Sequence, residues 1–211
     1  MRQEVLPPWA KASSRVLLLS TSLKKGKQVM KKLVSMLFAL ALFTTVNGAF
    51  AQKDPMVGGA AMYPSKNIVE NALNSNDHTT LVAAVKAAGL VDTVEGPGPF
   101  TVFAPTNEAF GKLPAGTVDS LVKPESHDQL TRILTYHVVA GHITTRDLKK
   151  MIADGGGKAT LTTVEGGTLT ATMQSGKFLL TDEKGGTAAI TIPNVYQSNG
   201  VIHVIDAVLM P

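Results

Sequence analysis

The feature that most constrains this chain is a change of pattern at Gly155-Gly156-Gly157. Before it, apolar residues recur mainly at helical spacing. After it, short apolar segments follow one another as strands: Ala159 to Val164, Thr168 to Met173, Phe178 to Thr181, Ala188 to Ile192 and Val201 to Leu209. Turn chemistry separates them, at Glu165-Gly166-Gly167, Ser175-Gly176 and Lys184-Gly185-Gly186. Helices first and a meandering sheet last give an α+β domain and exclude alternating βαβ units.

The helical part carries its own punctuation. Ser65 is placed to cap a helix that buries Ile68, Val69, Ala72 and Leu73, and Thr79 or Asp77 to cap a second with Leu81, Val82, Val85 and Ala88, stopped by Gly89. Gly96-Pro97-Gly98-Pro99 breaks the pattern, and Phe100 to Ala104 then reads as a half-buried strand. Thr106 is the expected N-cap of the next short helix, with Glu108 near its positive end. A helix from about Pro124 buries Leu130, Ile133 and Leu134; Tyr136 to Val139 switches to strand character, and Thr145 to Ile152 returns to helix.

The N-terminal part does not belong to this domain. Met30-Lys31-Lys32 opens a positive segment, and Leu33 to Val46 is an apolar run of 14 residues, short of the ~20 needed to span a bilayer. Asn47-Gly48-Ala49-Phe50-Ala51 ends it with an A-x-A pattern. Residues 30–51 therefore read as a secretory signal cleaved between Ala51 and Gln52, with an uncleaved anchor as the alternative. Residues 1–29 read as an upstream or leader extension, with translation starting at Met1 or Met30. Residues 52–64, rich in Gly and Pro, read as a flexible lead-in, and 65–211 as the domain.

Removing the leader reverses the charge. Residues 1–51 hold eight of the 20 Lys and Arg and one of the 16 Asp and Glu, which leaves 12 − 15 = −3 for the remainder. The basic character thus belongs to the leader, and no basic stripe is left for a nucleic-acid partner. No stable membrane span is expected after cleavage. Cys is absent, so an exported domain must rely on packing, which suits a bacterial envelope.

Catalytic and cofactor patterns fail in turn. Of the five His, His137 and His142 lie close together but lack the Cys or H-E-x-x-H company of a zinc site. His203, between Ile202 and Val204, reads as a hydrogen-bonded histidine at the core edge. There is no G-x-S-x-G elbow, Asp182-Glu183 falls in an exposed turn, and proline in the Gly-Pro-Gly-Pro stretch removes the amides a phosphate would need. No catalytic residue, metal or cofactor is expected.

Three motifs add what composition cannot. Phe100-Thr-Val-Phe-Ala-Pro-Thr-Asn-Glu-Ala-Phe110, Tyr136-His137-Val138-Val139 and Asn199-Gly-Val-Ile-His-Val-Ile-Asp-Ala-Val-Leu-Met-Pro211 resemble, in order and spacing, the signatures of the fasciclin-like domain family. The resemblance covers roughly residues 65–211 and implies a wedge-like β-sandwich with a helical layer. It also implies non-catalytic adhesion to a cell-surface or matrix protein or glycan, or to a second copy of the chain. The motif residues to watch are Thr106, Asn107, Tyr136, His137, His203 and Asp206. Thr106 and Asn107 are suited to tie the strand-to-helix corner, and Asn199-Gly200 to supply a positive-φ turn. Where several animal members carry an Asp-Ile pair tied to receptor adhesion, this chain has Asn194-Val195, so the charge for such a contact is missing. Some members hold pigments or lipids in an apolar groove, which makes a carrier of an apolar small molecule the alternative, with Met62, Tyr63 and Met151 as expected lining.

Overall fold

A computed structural model describes residues 54–211. The leader, the upstream extension and the Ala51/Gln52 junction lie outside the described residues. Met56–Val57 (β1) and Ala60–Ala61 (β2) form a hairpin, where the sequence reads as a loose lead-in, and Val57 and Met62 are buried in the core. The glycines here serve close approach: a side chain on Gly58 would overlap Ser75 Oγ and the following backbone, and Asn76 N–H donates to Gly58 O at 3.1 Å.

The helices are short. Ile68–Ala72 (α1) is capped by Asn67 and not by Ser65, because Asn67 is matched by Glu70 three residues on. Glu70 N–H donates to Asn67 Oδ1 and Asn67 N–H to Glu70 Oε2, each at 2.8 Å. A 3-10 turn over Asn76–His78 leads into Thr79–Ala87 (α2), so neither Asp77 nor Thr79 caps it through a side chain. Gly89, at φ +62°, follows its end as expected. Val91–Glu95 (α3), Asn107–Gly111 (α4), Thr117–Leu121 (α5), His127–Tyr136 (α6) and Thr145–Asp154 (α7) follow. Pro124 opens a separate 3-10 turn before α6. Tyr136 closes α6 and does not open a strand, and its ring is fully buried in the cluster inside the sheet.

Phe100–Pro105 (β3), Val138–Ala140 (β4), Lys158–Thr162 (β5), Thr168–Gln174 (β6), Lys177–Thr181 (β7), Thr187–Gln197 (β8) and Gly200–Ile205 (β9) make one mixed sheet in the order β4-β3-β9-β8-β7-β6-β5. β3 and β9 pair in parallel from Phe100↔Gly200 to Pro105↔Ile205, and the other ladders are antiparallel. β3 has a strand on each side and is covered on both faces, so every residue after Phe100 is buried and the half-buried reading gives way. Gly200 also departs from expectation, because it does not adopt a positive φ. It begins β9, and a Cβ there would run into the Phe100 backbone.

β8 contains two register shifts, between Ile190 and Ile192 and between Ile192 and Val195. Bulges bend a strand, and the sheet folds over until its outer strands meet at Val139↔Thr163, where Val164 N–H donates to Val138 O at 2.8 Å. The wedge so formed encloses one apolar cluster, including Phe103, Tyr136, Leu161, Leu169 and Leu180, and α7 closes it with Leu148 and Ile152. The second cluster joins the helices to the sheet through Ile68, Leu81, Leu130, Ile133, Val102 and Val204.

Candidate functional site

The three sequence motifs converge on the parallel β3/β9 pair, and two buried histidines fasten chain segments to it. His137, just past α6, places Nδ1 2.8 Å from Ile133 O and accepts the Leu209 N–H on Nε2 at 3.1 Å. A carbonyl can only accept and an amide can only donate, so the ring is neutral with its proton on Nδ1. His203, in β9, is bonded the other way round. Nε2 donates to Ile143 O at 2.9 Å and Nδ1 accepts the Asn194 N–H at 3.3 Å, while the ring stacks on Phe103 with centroids 5.7 Å apart.

Burial sets the charge of both rings. It lowers His137 from 6.5 to about 4, against a weaker upward pull from the Ile133 carbonyl and Asp182. His203 is lowered in the same sense, first by burial, with nearby His142 adding to it. Each histidine thus works as a neutral clamp with one donor and one acceptor. His142 itself is exposed and stacks on Tyr196 at 5.8 Å. Among the described residues no three His, Cys, Asp or Glu come together as metal ligands.

The remaining motif residues are tied in similarly. Thr106 accepts the Ala109 N–H at 3.2 Å as the N-cap of α4. Asn107 reaches beyond its own corner: Oδ1 accepts from Thr80 N–H at 3.0 Å and Nδ2 donates to Asn76 O at 2.8 Å, which joins α4 to the start of α2. Tyr136 Oη donates to Thr168 O at 2.6 Å and accepts the Glu183 N–H at 3.2 Å. Burial, with the carboxylates of Glu183, Asp182 and Glu165 nearby, raises its phenol above the ordinary value.

Asn194 and Val195 lie on the second bulge of β8. Asn194, at φ +56°, accepts the Thr145 N–H at 2.9 Å and donates to Thr145 Oγ1, while Val195 is buried. Asn194 and His203 are therefore in contact, whereas Thr106 and Asn107 sit at the far end of β3. Asp206, beyond β9, accepts the Ala189 N–H at 2.7 Å and stands near Lys112.

Two residues that hold the site together are not among those the sequence singles out for such a role. Asn199 accepts the Ile68 N–H at 3.1 Å and donates to Val94 O and Gly96 O at 2.8 and 3.1 Å, and its own carbonyl accepts from Phe100 N–H. Its asparagine-glycine context suggests a turn and conceals this knot. Asp182 reads as an exposed turn carboxylate, yet it is buried and accepts amides from Lys184, Gly186 and Met210.

The residues expected to line an apolar groove do not share one. Met62 and Met151 pack in different clusters, and Tyr63 is exposed. An apolar crevice does exist between α1, α2, α3 and the sheet, lined by Val69, Val82, Val85, Val94, Val102 and Leu134, with a volume of about 50 Å³.

As a sequence profile, the Fasciclin domain family matches residues 76–211 of this chain. The chain belongs to that family. β1, β2 and α1 lie ahead of the matched span and pack against the same helix–sheet cluster through Val57, Ala60 and Ile68. Protein sll1483 of Synechocystis is 43% identical over 82% of this chain and 91% of its own length. Immunogenic protein MPB70 of Mycobacterium bovis is 39% identical over 66% of each chain, and the cell surface glycolipoprotein MPB83 of the same species 34% identical over 77% of this chain and 69% of its own. A FAS1 domain pair from the insect cell adhesion molecule fasciclin I shares the fold, with a TM-score of 0.55 and 20% identity over 69% of this chain and 51% of that one. Among the described residues no helix is long and apolar enough to cross a membrane.

Proposed function

We propose that this chain is an exported, non-catalytic surface-interaction module that adheres to a protein or glycan outside the cytoplasm. The observation that carries the reading is the use made of the motif's polar groups. His137, His203, Tyr136, Asn194 and Asn199 are each bonded to backbone or neighbour and serve the scaffold. A catalytic set would keep a nucleophile or base turned toward a cleft. Family membership, with a cell surface glycolipoprotein and a domain pair from a cell adhesion molecule among its relatives, supports the same conclusion.

The test is direct. Protein recovered after export from an expression host should begin at Gln52 and bind saturably to host envelope or matrix polymer at micromolar concentrations. Absence of binding to cells, polymers and itself would sink the adhesion reading. A carrier for an apolar molecule has the crevice in its favour and its size against it: about 50 Å³ is well below the ~150 Å³ that holds a benzene-sized guest. Mass spectrometry of the protein from its native host separates the two, since a carrier brings a stoichiometric lipid or pigment with it.

A further inference from the structure

Neighbouring strands part company at one place in the sheet. β7 and β8 pair only from Leu179↔Ala189 to Thr181↔Thr187, whereas β7 stays with β6 as far as Gln174↔Lys177. Past Ala189, β8 follows β9 and bends through its two bulges. Lys177 and Phe178 on one side, and Ile190, Thr191 and Pro193 on the other, are left as the walls of an open cleft, with Thr145 and Asp206 at its margins. The cleft measures about 520 Å³, within the ~300–1,000 Å³ of small-ligand sites.

Its chemistry is mixed. Phe178 is half-buried, packed on the inner cluster while also lining the cleft, and Ile190 and Pro193 extend the apolar surface. Lys177 and Thr191 are exposed and bring an ammonium and a hydroxyl, the latter donating to Val204 O at 3.2 Å and so open to a ligand as an acceptor. The Asp206 carboxylate is held in place, because Oδ1 accepts from Ala189 N–H at 2.7 Å and Lys112 Nζ donates to the Asp206 carbonyl at 2.6 Å. Among the described residues nothing donates a hydrogen bond to Oδ2, which has only Lys112 Nζ at 4.0 Å.

The parted edge of β8 is a poor template for an added peptide strand. Its free stretch is broken by the register shifts at Ile190/Ile192 and Ile192/Val195, and it runs through Pro193, which has no N–H, into Asn194 at φ +56°. Side chains and concavity must do the recognising. An aromatic face for the C–H surface of a ring, flanked by a carboxylate, an ammonium and a hydroxyl for its OH groups, is the equipment of a sugar site.

The geometry points to a carbohydrate-binding cleft between β7 and β8 that takes hexopyranose units of an extracellular polysaccharide. This rests on the adhesion reading and assigns its partner and its site. Neither the crevice under the helices nor the buried histidines contribute to it.

The test uses the full chain after export, titrated with soluble oligosaccharides of glucose, galactose, mannose and N-acetylglucosamine, followed by calorimetry and amide chemical shifts. At least one should bind and shift the amides of Gly176 to Phe178 and Ala189 to Thr191. Phe178→Ala and Asp206→Asn should each weaken binding at least tenfold, and Lys123→Ala, remote from the cleft, should not. If Phe178→Ala fails to fold, Thr191→Arg fills the cleft from an exposed position and should block binding, with melting lowered by no more than the loss of the Thr191 bond to Val204 O. Sugar shifts confined to another surface would overturn the assignment. So would an unstructured peptide, and no sugar, perturbing these amides. Adhesion to host cells with no response to any sugar removes the cleft and leaves the adhesion reading standing, whereas loss of adhesion altogether removes both.

Discussion

Acid should unfold this domain through His137. In the folded state burial holds the ring neutral and lowers it from 6.5 to about 4; in the unfolded chain it titrates normally. Between those values the unfolded state binds the extra proton, so stability falls as pH drops through this window. It is fully present above pH 6.5 and, for this group, levels off below pH 4. At roughly 1.4 kcal/mol per pH unit, the gap amounts to about 3 kcal/mol by pH 4. Protonating Nε2 also removes the acceptor for Leu209 N–H, so the C-terminal segment should loosen first. Asp182 is the nearby carboxylate that favours the charged ring, and burial outweighs it. The assay is urea denaturation at pH 7 and pH 4 on the wild type and on His137→Gln, with hydrogen exchange at Leu209. The variant should be less stable at pH 7 by about 1–3 kcal/mol for the lost bonds, and should lose about 3 kcal/mol less than the wild type on acidification. His78 and His203, both lowered mainly by burial, steepen both curves alike. Equal losses in the two proteins, or the His137 imidazole titrating near 6.5 in the folded state, would refute the argument.

Three further outcomes follow from the same packing. Asn199→Ala removes the side-chain bonds that tie α1 and the end of α3 to the start of β9, and should cost about 2–4 kcal/mol in denaturant unfolding, since buried and half-buried partners are left unpaired. Gly200→Ala forces a Cβ against the Phe100 backbone and should cost about 1–3 kcal/mol, with faster exchange along Val102 to Ala104 as the sign that the parallel ladder has opened. Tyr136→Phe deletes the hydroxyl between Thr168 O and Glu183 N; it should cost about 1 kcal/mol and expose the Glu183 amide while leaving Leu209 protected.

Much of the fold was legible because its signals are local. The helical spacing of Leu130, Ile133 and Leu134, the Thr106 cap, the Gly89 stop and the glycine turns between strands each act within a few residues, and each stands where the sequence places it. Errors arose where one residue type serves two purposes. Gly58 and Gly200 read as flexibility or a turn and are in fact points of close backbone approach. Asp182 reads as solvated and is bonded by three amides. Asn67 displaces Ser65 as a cap because only Asn67 has Glu70 at the reciprocal position.

By itself the sequence determined the α+β class, the run of strands after Gly157 and the family, because periodicity, turn chemistry and motif order are properties of neighbouring residues. Tertiary structure alone decided the rest. Nothing in the spacing announces that β3 and β9 would lie in parallel 100 residues apart, or that His137 would find the amide of Leu209 and His203 the carbonyl of Ile143. Nor could it reveal that β8 would leave β7 and open a cleft. A buried polar group takes whichever partner the folded chain brings within about 3 Å, and that partner is set by how the sheet bends.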